Sequence, residues 1–291
     1  MPALLRPALE PFLALLRCPT CHARLHPDHG ALRCPAGHTF DIARHGYVGL
    51  LTGNRATSGD DAPMARARAR FLATGGYAPI RRAVARLASE DMPEEGTIVD
   101  VGCGTGYYLA GALDQLPGAR GLGLDTSVRA LRSAARAHER AAAATWDVFR
   151  PFPLADGAAD VVLDVFAPRN PAEFHRVLCP GGRLVVVRPT GRHLAELRGL
   201  PAMVSVDPAK EQRLHQALNP CFEATVTEQV EYTLPLTEQE ALDLVGMTPS
   251  ARHGAPADLA DSGSLPGQVT VSVLATAFRA RWTRGRRGPA R

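Results

Sequence analysis

Lysine is almost missing from this chain: Lys210 is the only one in 291 residues. Arginine carries the basic charge, and the net charge is a modest +4. Arginine suits bidentate phosphate contacts and stacking on bases. Ala, Gly and Pro are frequent too, as a GC-rich genome would give, so arginine by itself does not establish nucleic-acid binding. Cysteine is scarce, with six residues, which excludes a disulfide framework in a chain this size and fits a reducing cytoplasm. Long apolar runs are lacking as well. Phe12 to Leu16 is the longest near the N-terminus, and Arg6, Pro7, Glu10 and Pro11 interrupt it upstream. That is too short for a signal-peptide core, and nothing approaches the roughly 18 apolar residues of a membrane span. Internal repeats are absent. A cytoplasmic protein without a membrane partner is expected.

Four residues that are present carry a specific signal. Cys18 and Cys21 form a C-x2-C pair, and after twelve residues Cys34 and His38 form a C-x3-H pair. Two such loops joined by a short hairpin can converge on a tetrahedral zinc ion, and three thiolates with one imidazole make a closed structural site without a catalytic position. His22, His26 and His29 are rival ligands; His38 is preferred because it completes a second pair. Residues 1–42 are read as this zinc-binding module, the part suited to gripping a large substrate. They hold few apolar residues, so the metal is expected to supply their folding energy. Losing it should disorder the module and leave the rest able to bind cofactor.

Residues 43–76 read as a connector rich in turn formers (Gly46, Gly49, Gly53, Asn54, Ser58, Gly59), ending in a helix over Met64 to Leu72. Arg66, Arg68 and Arg70 lie in that helix and spread around it. From 77 to 291 the pattern alternates. Helices are expected over Ile80–Ala88, from Tyr107, over Val128–Ala137 and over Pro171–Val177. Strands are expected over Thr97–Val101, Gly121–Leu124, Ala143–Trp146, Asp160–Phe166 and Arg183–Arg188. This implies an α/β fold, a mostly parallel sheet with helices on both faces. Ala224–Glu231 and Val269–Arg279 read as antiparallel edge strands, and Arg281–Arg291 as a basic, frayed tail.

The first strand opens into Asp100-x-Gly102-x-Gly104-x-Gly106, and a helix follows. Glycines there let the backbone turn sharply and approach a ligand. Asp125 ends the next strand, 19 residues after Gly106, where a carboxylate can accept ribose hydroxyls. The third glycine comes one residue early for the dinucleotide fingerprint. The shape instead resembles class I (Rossmann-like) S-adenosylmethionine-dependent methyltransferases. In that class an acid after the third strand lies near the adenine amino group, which Asp147 matches, with Val148 beside it. Leu178-Cys179-Pro180-Gly181-Gly182 matches the turn before strand five. Tyr107, opening the helix, completes the expected cofactor set.

The two constellations in this order resemble the bacterial 23S rRNA (guanine-N1)-methyltransferases, over most of the chain. The likeness includes His38-Thr39-Phe40-Asp41, Gly46-Tyr47-Val48, Phe166-Ala167-Pro168, His193-Leu194-Ala195-Glu196-Leu197 and Met247-Thr248-Pro249. Val165 to Pro171 looks most like the macrolide-resistance branch of antibiotic-producing actinomycetes. The resemblance implies S-adenosylmethionine and zinc as cofactors, and as substrate a guanine in a domain II hairpin loop of 23S rRNA or its near neighbour in that loop. It also implies a homodimer that forms the RNA groove, with Arg66, Arg68 and Arg70 among the RNA contacts. Guanine N1 carries a proton, so a base should help; His193 is the candidate. Phe166 and Pro168 lie where this fold places the acceptor and could stack on an extruded base. The rival readings are a small-molecule methyltransferase of antibiotic tailoring and a non-catalytic RNA-binding protein.

Overall fold

The computed structural model describes residues 6–53, 59–198, 217–248 and 265–282. Asn54, Ser58, Lys210, Pro249 and residues 283–291 of the basic tail lie outside these.

The chain opens with a 3-10 helix, Pro7–Phe12, and a three-stranded antiparallel sheet of β1 (His26–Asp28), β2 (Ala31–Arg33) and β3 (Thr39–Asp41). Two helices follow, α1 (Ala62–Ala73) and α2 (Ala78–Ser89). Then come β4 (Thr97–Val101), α3 (Tyr107–Gln115), β5 (Arg120–Asp125), α4 (Val128–Ala134) and β6 (Ala141–Thr145). The remainder is β7 (Ala159–Val165), α5 (Pro171–Val177), β8 (Leu178–Pro189), β9 (Phe222–Pro235), α6 (Glu238–Gly246) and β10 (Gln268–Ala280). The large sheet has the order β6-β5-β4-β7-β8-β10-β9. Its first five strands are parallel, and β10 joins β8 and β9 antiparallel. The order of strand addition switches sides at β4, with β5 and β6 on one side and β7 and β8 on the other, so the carboxyl ends of β4, β5 and β7 flank the crevice where this topology binds ligands.

Local chemistry sets the boundaries. β4 is a β-branched run buried at all five positions, as a central parallel strand should be. Helix starts are capped by side chains: Asp61 for α1, Ser127 for α4, Asn170 for α5 and a Thr237–Glu240 capping box for α6. Several ends move from their expected places. α4 stops at Ala134 rather than Ala137, and β8 begins at Leu178, before the glycine pair, rather than at Arg183. β6 is a strand although it reads Ala-Ala-Ala-Ala-Thr; burial at all five positions overrides alanine's helical preference.

The two faces of the sheet are covered differently. α2 and α3 pack on one face with Val161, Leu163, Val185 and Val187. The other face carries α5 and, unexpectedly, the N-terminal module. Leu9, Phe12, Leu16, Leu25, Leu32, Phe40 and Ile42 share one buried cluster with Val99, Val101, Leu122, Leu124, Val162 and Val186. The module therefore does not depend on its metal alone, because it borrows the apolar face of the central sheet. Among the described residues no helix is long and apolar enough to cross a membrane.

Candidate active site and zinc centre

The two ligand pairs converge. One ligand atom from each of Cys18, Cys21, Cys34 and His38 lies within 4.8 Å of the others. His38 turns Nδ1 inward, 3.2 Å from Cys34 Sγ and 3.6 Å from Cys18 Sγ. Gly37, with φ +87°, provides the tight reversal that brings His38 back, and its N–H donates to Cys34 O at 2.9 Å. Three thiolate-forming sulfurs and one imidazole at this spacing suit zinc. His22, His26 and His29 stay outside the cluster, and the His29 side chain is 98% exposed.

The glycine turn sits at the carboxyl end of β4. Gly102, Gly104 and Gly106 have φ of +72°, +53° and +81°, a region L side chains avoid. Space explains two of them further. A Cβ on Gly102 would lie 2.5 Å from Ala167 Cβ, and one on Gly106 would lie 2.9 Å from Ala137 Cβ and 3.0 Å from Ala134 Cα. Asp125, at the end of β5, accepts from Gly104 N–H at 2.8 Å and Ser127 N–H at 2.7 Å. Burial raises its pKa, with Asp60 adding to the shift, while the two amides oppose it. Asp100 lies in the floor, 1% exposed, with Oδ2 unpartnered, and burial followed by Asp125 pushes its carboxyl up to about 8. An orphaned acid under a cradle of open glycine backbone fits a ligand with cationic and hydroxyl groups. Asp147 is 4% exposed beyond β6 and accepts from Phe149 N–H at 3.0 Å, while Val148 O accepts from Asn170 Nδ2 at 2.9 Å. Tyr107 opens α3 as expected, but its ring lies under the Arg81 guanidinium, 5.1 Å from it, toward α2.

Phe166 stands over this turn, on the loop that follows β7. It is 37% exposed and holds φ +58°, a strained value for an aromatic residue. Its ring stacks on His193 with centroids 6.0 Å apart and planes 19° apart. Tyr77 and Tyr108 complete the cluster at 6.3 and 6.4 Å. Pro168 is exposed two residues along. Asp164, fully buried beneath this loop, faces Arg169 Nε at 3.8 Å.

His193, the candidate base, is engaged at both ring nitrogens. Ser272 N–H donates to its Nδ1 at 3.2 Å, which places the proton on Nε2, 3.4 Å from the Tyr77 hydroxyl. Burial, with Arg198 assisting, lowers its pKa to about 4. A neutral ring whose Nδ1 accepts a hydrogen bond is suited to bracing its neighbours.

The three arginines of α1 also separate. Arg66 is exposed. Arg70 pairs with Asp243 of α6, and Arg68 turns inward to Asp60, 2.6 Å away. Two of the three expected RNA contacts are therefore paired within the molecule, Arg68 largely buried and Arg70 still exposed at the surface. Tyr77, Tyr108, Asp60 and the inward-facing Arg68 were not legible as site residues. The repeated tyrosine after the glycine turn and the arginine run were visible, but not where they pointed.

Residues 16–58 match the zinc-ribbon family described as "RlmA, N-terminal", and residues 98–182 match "Methyltransferase domain". The chain is 45% identical over 271 residues to the 23S rRNA (guanine(748)-N(1))-methyltransferase of Streptomyces fradiae, covering 91% of this chain and 96% of that one. It is 46% identical over 285 residues to a candidate 23S rRNA (guanine-N(1)-)-methyltransferase of Micromonospora griseorubida, covering 91% and 97%. The chain belongs to the 23S rRNA (guanine-N1)-methyltransferase family. A candidate methyltransferase from an antibiotic biosynthesis pathway of Anabaena variabilis shares the fold, with TM-score 0.50, 15% identity, and 69% of this chain and 96% of that one covered. As a member of the family the chain is an S-adenosylmethionine-dependent methyltransferase, with zinc held by Cys18, Cys21, Cys34 and His38.

Proposed function

We propose that this enzyme methylates N1 of a guanine in a domain II hairpin loop of 23S rRNA, the 748-type position named for the Streptomyces fradiae relative, and so confers macrolide resistance. The observation that carries the reading is the exposed Phe166 ring on a loop packed directly against Gly102 of the glycine turn. It offers a stacking surface for an unpaired base next to the cofactor cradle.

Asp100, Gly102, Gly104, Gly106, Asp125, Asp147 and Val148 form the cofactor pocket in this reading, with Tyr107 contributing its backbone at the start of α3 while its ring faces Arg81. Asp125 takes the ribose hydroxyls, and Asp147 lies toward the adenine. When bound, S-adenosylmethionine supplies a methyl group on a sulfonium. The protein's work is alignment, because an in-line displacement depends on how N1 is held against that methyl. Phe166 and Pro168 hold the base, and His193 braces Phe166. A hairpin exceeds one base pocket, which supports a groove completed by a second chain, with the enzyme acting in the cytoplasm where the ribosome is built.

The test is incubation with labelled S-adenosylmethionine and unmodified 23S rRNA, followed by primer extension. Methylation at N1 blocks Watson–Crick pairing, so reverse transcriptase should stop at the 748-type guanine. Expression in a sensitive bacterium should raise the inhibitory concentration of some macrolides. A stop at the neighbouring guanine with unchanged drug sensitivity would overturn the resistance assignment.

A further inference from the structure

We infer that Arg68 is a cofactor-binding residue, the cation that receives the α-carboxylate of the amino-acid end of S-adenosylmethionine. The inference rests on the reading that the glycine turn holds that cofactor. α1 lies outside the parallel core, yet Arg68 reaches into it. Of the described residues, the one atom within 4 Å of a Cβ built on Gly104 is Arg68 Cδ, at 3.6 Å. The side chain is 26% exposed. Burial opposes its charge, but the bidentate Asp60 carboxylate and the field of Asp125 keep its pKa raised.

The guanidinium fork already holds a carboxylate. Arg68 Nε donates to Asp60 Oδ2 at 2.6 Å and NH2 to Asp60 Oδ1 at 3.2 Å. NH2 also donates to Met247 O at 2.8 Å. Asp60 is tied to the ribose side of the cradle, because Ser127 Oγ donates to its carbonyl at 2.6 Å. A second acid beside Asp125 is costly, and Arg68 is what tolerates both. A ligand that brings its own carboxylate to the turn meets a planar cation of matched geometry. Arg68 can then share or exchange Asp60 for the ligand.

Calorimetry with S-adenosylhomocysteine and its decarboxylated counterpart isolates the carboxylate, since the two ligands otherwise share the same skeleton. The intact protein should bind the first about 10- to 100-fold more tightly. Arg68→Gln should erase that preference while leaving the decarboxylated ligand within about twofold. Arg68→Lys should restore part of it. If the glutamine variant unfolds, Asp60→Asn serves instead. Removing the competing carboxylate should tighten S-adenosylhomocysteine several-fold and leave the decarboxylated ligand unchanged. Equal losses for both ligands in Arg68→Gln, or no change in Asp60→Asn, would show that Arg68 merely ties α1 to its neighbours and would overturn the inference. Failure of the intact protein to bind either ligand would instead overturn the reading of the glycine turn, and this inference with it.

Discussion

Val48 lies beside Ala144 as a one-residue extension of the large sheet: its N–H donates to Ala143 O at 2.9 Å, and its carbonyl accepts from Thr145 N–H at 2.8 Å. Leu16 and Leu154 form a second bridge nearby. Val48 also bridges to Ile42 at the end of the zinc module, so the module is joined through this residue to the catalytic sheet by backbone as well as by core. Zinc loss is expected to lower the melting temperature of the whole chain in one transition and to weaken cofactor binding. Elemental analysis should find one zinc per chain. Phe12→Ala, outside the metal loops but fully buried, should cost about 3–5 kcal/mol. Calorimetry of Cys34→Ser that shows an intact second transition and unchanged cofactor affinity would disprove this coupling.

Gly104→Val should abolish cofactor binding and also cost about 1–3 kcal/mol of stability, because a β-branched residue is strained at φ +53° and its Cβ would stand 3.6 Å from Arg68 Cδ at the turn. Asp125→Ala removes an acceptor shared by two amides and the proposed ribose. A hydrogen bond to a charged group contributes roughly 1.5–3 kcal/mol, so affinity should fall about 10- to 150-fold. Isothermal titration of both variants decides the matter, and unchanged constants would place the cofactor elsewhere.

Protonation of His193 should read out in stability rather than catalysis. Its folded pKa of about 4 lies below the ordinary value of 6.5. The unfolded chain thus binds more protons between these values, and stability falls as pH drops from about 6.5 to 4, by at most about 3 kcal/mol. His193→Gln should flatten this slope in chemical denaturation across that range. The pH–rate profile should lack an ionisation near 6.5 that the substitution removes. Finding one would restore His193 as a base.

Phe166→Ala should leave cofactor affinity unchanged and reduce kcat/KM about 5- to 150-fold, the worth of one stacked base at about 1–3 kcal/mol. Phe166→Leu should recover little of this loss. Normal turnover in either variant would move the base away from this ring.

Arg70→Glu should affect stability, not RNA. It would set two carboxylates together where Asp243 is 4% exposed, at a cost of about 1–3 kcal/mol. Filter binding at full folding should show RNA affinity unchanged, whereas a large loss would make Arg70 an RNA contact.

The motifs that carry local chemistry were readable in the sequence. The Cys–His spacing, the glycine turn after a β-branched run and Asp125 at the next strand end all depend on neighbours within a few residues. What stayed hidden depends on long-range packing. Leu9, Phe12 and Leu16 look like a weak apolar segment until the face of β4 and β5 is set beneath them. The alternation of Arg66, Arg68 and Arg70 says that they diverge, but not that Asp60 and Asp243 await two of them. Nothing near His193 in sequence reveals the Ser272 amide that donates to its Nδ1.

One absent methyl group sets how finely this enzyme is gauged. Ala167 rests where the Gly102 side chain would begin, so the glycine turn and the loop that carries Phe166 meet with no room for one more carbon between them. Neither can drift without carrying the other along. A methyl added at position 102 would act as a shim, widening the gap that the reaction must cross, and reach across that gap governs transfer steeply. On the proposed reading, the spacing of the two reactants is thus written into a glycine.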